Sequence, residues 1–352
     1  MNTPIPRFDT AGSNYGADAN GLICGYAFEP SVPGQEIDSS RGAERLAQRD
    51  IDVGADSGTK GFIWLHFNLS HARAEPWLRR HAGLGDEFFE DLRDGSRSSR
   101  IEREGDSLFA VLNDVTFDFA FDASDLATLW ISVQAGVVIS ARRHPLRSVD
   151  RLRASVKRGE RLASPIALLD HLLRDQADEL LRIVRAAAGR IDDIEDALLA
   201  GRTDQHGGEL ARLRRLMVRL QRWLAPEPSA LMRMLANPPA WVPAEDTQRL
   251  QQASEEFAVV LRDIGALQER IKLLQEEASA RVAEENNRSL FTLTMVTVLA
   301  LPINLIAGLM GMNVGGIPLS DHPHGFWLVI ALIVAFTLGV GVFAVQRIRR
   351  RD

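Results

Sequence analysis

From Leu290 to Met312 the chain carries no charged side chain, and one helical face of that stretch holds Leu290, Leu293, Thr297, Leu301, Asn304 and Gly308 at steps of three or four. Hydroxyl and amide groups in line with leucines can hydrogen-bond the water shell of a cation without a fixed charge, while the leucines act as constrictions. Asn304 has a second use open to it, an interhelical hydrogen bond that only packs a bundle. Beyond this stretch lie Asp321, His322, Pro323 and His324. Carboxylate and imidazole are zinc ligands and could concentrate that metal ion, although two histidines flanking a proline also make an ordinary solvated turn.

Other chemistry is sparse. His66, His71, His81, His144, His171 and His206 lack HExxH or comparable metal spacing, and the chain has no glycine-rich phosphate loop and no Ser-His-Asp set. The reading is therefore a non-enzyme without a cofactor. The acidic run Asp192, Asp193, Glu195, Asp196 and the pair Glu276, Glu277 could hold cations or simply form solvated helix faces. A net charge of -6 over 352 residues offers no basic field for nucleic acid. The single cysteine, Cys24, excludes an intramolecular disulfide and any CxxC site. MNTPIPRFDTAGSN at the N-terminus has no apolar core, so no cleaved signal peptide is expected.

The elements that must position the polar stripe follow from hydropathy. Leu290–Met312 and Phe326–Val345 are each uncharged and long enough for a hydrocarbon core of about 30 Å. Together they predict a transmembrane hairpin. Arg281 and Arg288 precede the first span, Arg347, Arg349, Arg350 and Arg351 follow the second, and the connecting loop Asn313–Gly325 has no Lys or Arg. Both termini are then expected in the cytoplasm, in an inner (plasma) membrane. In the second span Thr337 is the only hydroxyl or amide side chain, which suits contact with lipid.

Before the spans, β-rich runs at Leu22–Phe28, Gly61–Leu69, Ile101–Phe119, Leu126–Gln134 and Gly136–Arg142 alternate with helical spacing at Ala43–Asp50 and Trp77–Leu92. DLRDGSRSSR reads as a polar connection, and an α/β layer ends near His144-Pro145. From Ser164, with Pro165 in the first turn, a 3-4 repeat runs to Leu198 and stops at Gly201. A second helix carries Leu210 to Leu224 and is stopped by Pro226 and Pro228. After NPPAWVP a heptad resumes at Leu250 and meets no terminator before the first span. A helix from about Glu245 to Met312 is roughly 100 Å long, more than one domain can enclose, so self-assembly is expected. The divisions are 1–160 (cytosolic α/β domain), 161–244 (antiparallel helical hairpin), 245–289 (stalk), 290–312 (first span), 313–325 (outer loop), 326–345 (second span) and 346–352 (basic tail). The class is an α+β membrane protein.

At the end of the first span stands Gly311-Met312-Asn313, followed by Val314-Gly315-Gly316-Ile317-Pro318. A Gly-Met-Asn at the mouth of the first of two C-terminal spans, after a heptad helix and an α/β domain, resembles the signature of the CorA family of divalent-cation transporters. Leu319 and Ser320 stand where magnesium-transporting members usually carry an acidic residue, and the Val314–Pro318 loop is similar to that of the ZntB-like zinc branch. The resemblance implies a homopentameric funnel with first spans lining a pore, Gly311, Met312 and Asn313 as selectivity filter, second spans facing lipid, and Zn²⁺ as cargo. Five neutral Asn313 oxygens would bind a hydrated divalent ion through its water shell. A CorA-like Mg²⁺, Co²⁺ or Ni²⁺ channel and a non-transporting coiled-coil scaffold stay open as alternatives.

Overall fold

The computed structural model describes residues 16–29, 32–52, 61–95, 99–122, 124–201, 207–312 and 323–349. They fall into two compact units, Met1–Gln275 and Glu276–Asp352, and each is taken by itself.

Among the described residues of the first unit, one sheet is built from β1 (Leu22–Phe28), β2 (Gln35–Glu36), β3 (Phe62–Asn68), β4 (Arg100–Glu104), β5 (Ser107–Val115), β6 (Leu126–Gln134) and β7 (Val137–Arg142). The order is β2-β1-β3-β7-β6-β5-β4, with β3 and β7 parallel and every other neighbouring pair antiparallel. Side chains alternate between two cores. Tyr26, Trp64, Leu112, Ile131 and Val138 enter one, and Ala27, Leu65, Val111, Trp130 and Ile139 the other. Helices cover both faces, which is why these strands read as nearly continuous apolar runs. Complete burial of Leu65, Val111 or Ile139 contributes about 1.5–3 kcal/mol each.

The second core is closed by α1 (Ser39–Asp52), α2 (Ala74–His81) and α3 (Asp86–Asp94), through Leu46, Trp77, Leu78, Phe88 and Leu92. The first is closed by α4 (Arg147–Lys157), α5 (Pro165–Leu199), α7 (Pro226–Leu235) and the start of α8 (Ala244–Met310), while α6 (Gly207–Leu224) lies between α5 and α7 in sequence. Where β3 meets β7, Trp64 Nε1 and His66 Nδ1 both reach the Ser140 hydroxyl at 2.8 Å. Arg142 donates through Nε to His66 Nε2 at 2.9 Å, which leaves the imidazole proton on Nδ1. Burial holds His66 well below the ordinary histidine range, so the ring is neutral.

The sequence expectations need correction in four places. The run 101–119 is not one strand: Gly105, at φ 59°, turns it into the β4–β5 hairpin. The helical spacing of 77–92 divides at Gly83, with φ 58°, and Gly85 caps α3. The polar connection DLRDGSRSSR is shorter than expected, since α3 reaches Asp94 and β4 starts at Arg100. Two helices were not anticipated. In α4, Val149, Leu152 and Val156 sit on the sheet. In α7, Pro226 starts a helix rather than ending one, because a first-turn residue needs no N–H for the ladder.

The Ser164 cap is as expected: its Oγ accepts from Ala167 N–H at 2.9 Å and Pro165 opens α5. Up to Gln275, α8 buries a stripe of Leu250, Ala253, Phe257, Val260, Ile264, Leu267, Ile271 and Leu274. Arg270 pairs with Asp192 at 2.6 Å and with Glu195, joining α8 to α5. Arg214 of α6 donates to the Gln275 side chain at 3.2 Å.

Candidate ion-conducting segment

In the second unit α8 continues without interruption to Met310, and α9 spans Gly325–Arg349. The segment contains Pro302 and still holds as a helix. In hydrocarbon every polar group needs a partner within the segment. Thr292, Thr294 and Thr297 meet that demand by donating to the carbonyls of Arg288, Leu290 and Leu293 at 2.9, 2.8 and 2.9 Å. Thr337 of α9 does the same to Ile333 at 2.8 Å. Because the donor proton is used, a lone pair of the Thr297 oxygen remains available to accept a further hydrogen bond.

Leu290, Leu293, Thr297, Leu301, Asn304 and Gly308 are exposed in the single chain, and so are Val296, Leu305 and Leu309 on other faces. A Cβ added at Gly308 would meet nothing within 4 Å among the described residues. At the end of the segment Gly311 N–H donates to Ala307 O at 3.0 Å and Met312 N–H to Leu309 O at 3.4 Å. A Cβ at Gly311 would stand 3.2 Å from the Ala307 carbonyl, a tight approach that favours glycine at this exit. Asn313, the Val314-Gly315-Gly316-Ile317-Pro318 loop, Asp321 and His322 lie outside the described residues, as does His206. His324 is described and exposed; its carbonyl accepts from Leu328 N–H at 3.2 Å at the start of α9. Phe326 and Trp327 follow, packed edge to face at 5.7 Å.

In the acidic run, Asp192 and Glu195 are held by Arg270, while Asp193 and Asp196 are exposed. Glu277 pairs with Arg281 at 2.6 Å in the second unit. No group of three or more His, Cys, Asp or Glu side chains suited to a metal ion occurs among the described residues.

Sequence reasoning missed the ion pairs around His171 and Glu179 and the buried carboxyl of Asp114. His171 lies 3.1 Å from both Asp175 and Glu160, and the neighbouring Asp175 carboxylate leads in pushing the imidazole up to about 9. Glu179 is shared by Arg147 and Arg182, each at 2.6 Å. Asp114 accepts from Ser148 N–H and O–H at 2.9 and 2.5 Å at the start of α4, with its carboxyl raised by burial to about 6. The signal available in the sequence was weak, because the partners of Asp114 and Glu179 come from other elements far along the chain.

The chain combines an α/β domain, the 67-residue helix α8 that is uncharged from Leu290 to Met310, and the apolar helix α9, and by length and composition the end of α8 could cross a membrane. The chain belongs to the family described as "CorA-like Mg2+ transporter protein", which it matches over residues 59–346. It is 31% identical over 321 residues to "Divalent cation transporter CmaX" of Pseudomonas aeruginosa, covering 90% of this chain and 93% of that protein. It is 24% identical over 310 residues to "Zinc transport protein ZntB" of Pectobacterium carotovorum, covering 88% and 93%. The solved structure of full-length CmaX superposes with a TM-score of 0.74 at 28% identity, over 95% of this chain and 98% of that one. The chain is thus a divalent-cation transporter by family, and the coiled-coil scaffold without transport is set aside.

Proposed function

We propose that this protein moves Zn²⁺ across the inner membrane through a homopentameric pore lined by residues 290–312. The observation that carries this reading is the uncharged end of α8, whose neutral stripe of Leu290, Leu293, Thr297, Leu301, Asn304 and Gly308 runs into Gly311-Met312-Asn313. Asn313 would present amide oxygens to the hydration shell, Thr297 and Asn304 would be intermediate polar stations, and Leu293 and Leu301 would constrict. Residues 326–345 would face lipid, the soluble domain would lie in the cytosol with both termini, and Asn313–Gly325 would face outside. The seven divisions drawn from the sequence describe this arrangement. Asp321, His322 and His324 would gather zinc at the mouth.

Support for zinc comes from the Val314–Pro318 loop and from relatives named as zinc transport proteins. A broader divalent selectivity is favoured by the more similar relative, whose name gives only divalent cations. Flux of Zn²⁺ and Mg²⁺ into proteoliposomes containing the full chain separates the two. Faster Zn²⁺ entry supports the zinc reading, and Mg²⁺ entry at equal or greater rate replaces it with the broader one. The absence of both fluxes removes the pore assignment.

A further inference from the structure

Glu227, the second residue of α7, is 2% exposed although it is ionisable and far from the ion-conducting segment in sequence. Its Oε2 accepts from Gln176 Nε2 of α5 at 3.3 Å. Oε1 has no hydrogen-bond partner among the described residues. Beside it lies a water-sized cavity of about 10 Å³ lined by Leu173, Pro228, Leu231, Ala253, Ser254 and Phe257, so α5, α7 and α8 all meet here.

The charges around the site are unfavourable to a carboxylate. From β5 the facing group is Asp114, itself buried and acidic. On α5, Asp175 and Glu179 flank Gln176 but are engaged by His171 and by Arg147 and Arg182. From α8 the lining residues are Ala253, Ser254 and Phe257, none of them ionisable, while the adjacent Glu255 and Glu256 point to solvent. Gln176 also donates to the Asn113 carbonyl at 2.8 Å, and Asn113 donates to Ser99 at 3.0 Å. The carboxyl is therefore tied to the sheet edge by a neutral polar knot. An unpaired negative charge in such a place costs several kcal/mol, and the inexpensive state is the neutral acid.

We propose that Glu227 is a proton-binding site, and that its proton keeps α7 seated between the sheet, α5 and α8, so that the soluble domain loosens at this joint when the proton is lost to water at alkaline pH. Burial, aided by the Asp114 charge, pushes the Glu227 carboxyl from its ordinary 4.5 up to about 8. The folded chain then holds a proton that the unfolded chain releases. Stability from this group is complete below about 4.5 and declines as pH rises through about 8. This inference does not depend on which ion is carried.

The test uses the full-length protein in detergent micelles, titrated from about pH 7 to about pH 9.5. Two readouts serve: the infrared C=O band of a protonated carboxyl, and hydrogen exchange of residues 226–235 corrected for the intrinsic rate. In the wild type the band should vanish with a midpoint near 8, and protection of α7 should fall by at least about tenfold. Glu227→Gln, which mimics the neutral acid, should lack the band and keep its protection. Asp114→Asn should lower the midpoint, which assigns the band even if Glu227→Gln does not fold. A band that persists across the range, a midpoint unmoved by Asp114→Asn, or a folded Glu227→Gln protein that loses protection like the wild type overturns the proposal.

Discussion

The hydroxyl of Ser164 donates to Asp246 Oδ2 at 2.6 Å, tying the residue that caps α5 to the first turn of α8. The same oxygen accepts from Ala167 N–H, so one serine both starts a helix and fixes where the transporter's longest helix begins. Ser164→Ala should lose the cap and leave a buried carboxylate one donor short, lowering stability by about 1–3 kcal/mol. Urea unfolding of the variant beside Ser164→Thr, which keeps the hydroxyl, checks this; equal losses in the two would deny the hydroxyl its role.

His171 gives stability a pH dependence of its own. Its folded value is raised from 6.5 to about 9, so its contribution is complete below about pH 6.5 and disappears as pH rises through about 9. His171→Gln should flatten the melting temperature across that window and change little above it. Melting curves at several pH values distinguish this from a uniform loss.

If Asn313 is the filter as proposed, Asn313→Ala is expected to reduce divalent flux by about tenfold or more while the oligomer still assembles, because the proposed ring of amide oxygens would be lost. Flux in proteoliposomes and size-exclusion chromatography together read the result. Wild-type flux with wild-type selectivity would remove Asn313 from the filter.

Within the segment, Leu293→Ser and Leu301→Ser should increase ion leak a few-fold by favouring wetting of a narrow apolar passage. Leu332→Ser, on the exposed surface of α9, should not. A fluorescent indicator inside vesicles measures all three, and equal leak would mean that the stripe is turned the wrong way.

For the loop, the double substitution of His322 and His324 by Gln should raise the half-saturating Zn²⁺ concentration and leave maximal flux nearly unchanged. Since imidazole binds metal only when neutral, the difference from wild type should shrink below about pH 6. Superimposable saturation curves at neutral pH would make these residues a plain turn.

What the sequence disclosed was local. Ser164-Pro165 announces a helix start within two residues, Gly311-Met312-Asn313 is contiguous, and the uncharged 290–312 stretch identifies itself by composition. The buried carboxyls were hidden because their surroundings come from far away. Asp114 meets Ser148 across 34 positions, Gln176 meets Glu227 across 51, and Ser164 meets Asp246 across 82. Glu227 follows a proline and precedes another, which on sequence alone marks a break and conceals a packed helix. The hairpin at Gly105 was missed for the opposite reason, since one glycine inside an otherwise strand-like run is easily read through.

The parallel contact between β3 and β7 also sets an order of events during folding. β1 with β3, and β4 through β7, are antiparallel neighbours that can each form from nearby chain, whereas the pair Ile63–Val137 joins residues from opposite sides of three intervening strands. Closing that gap carries the largest loop entropy in the sheet, so the two halves should nucleate separately and the join should come last. A nascent chain that has not yet presented Ser140 cannot complete it. His66 and Trp64 would then remain unpartnered at an open strand edge, and in that interval the growing protein is most exposed to mispairing with another copy.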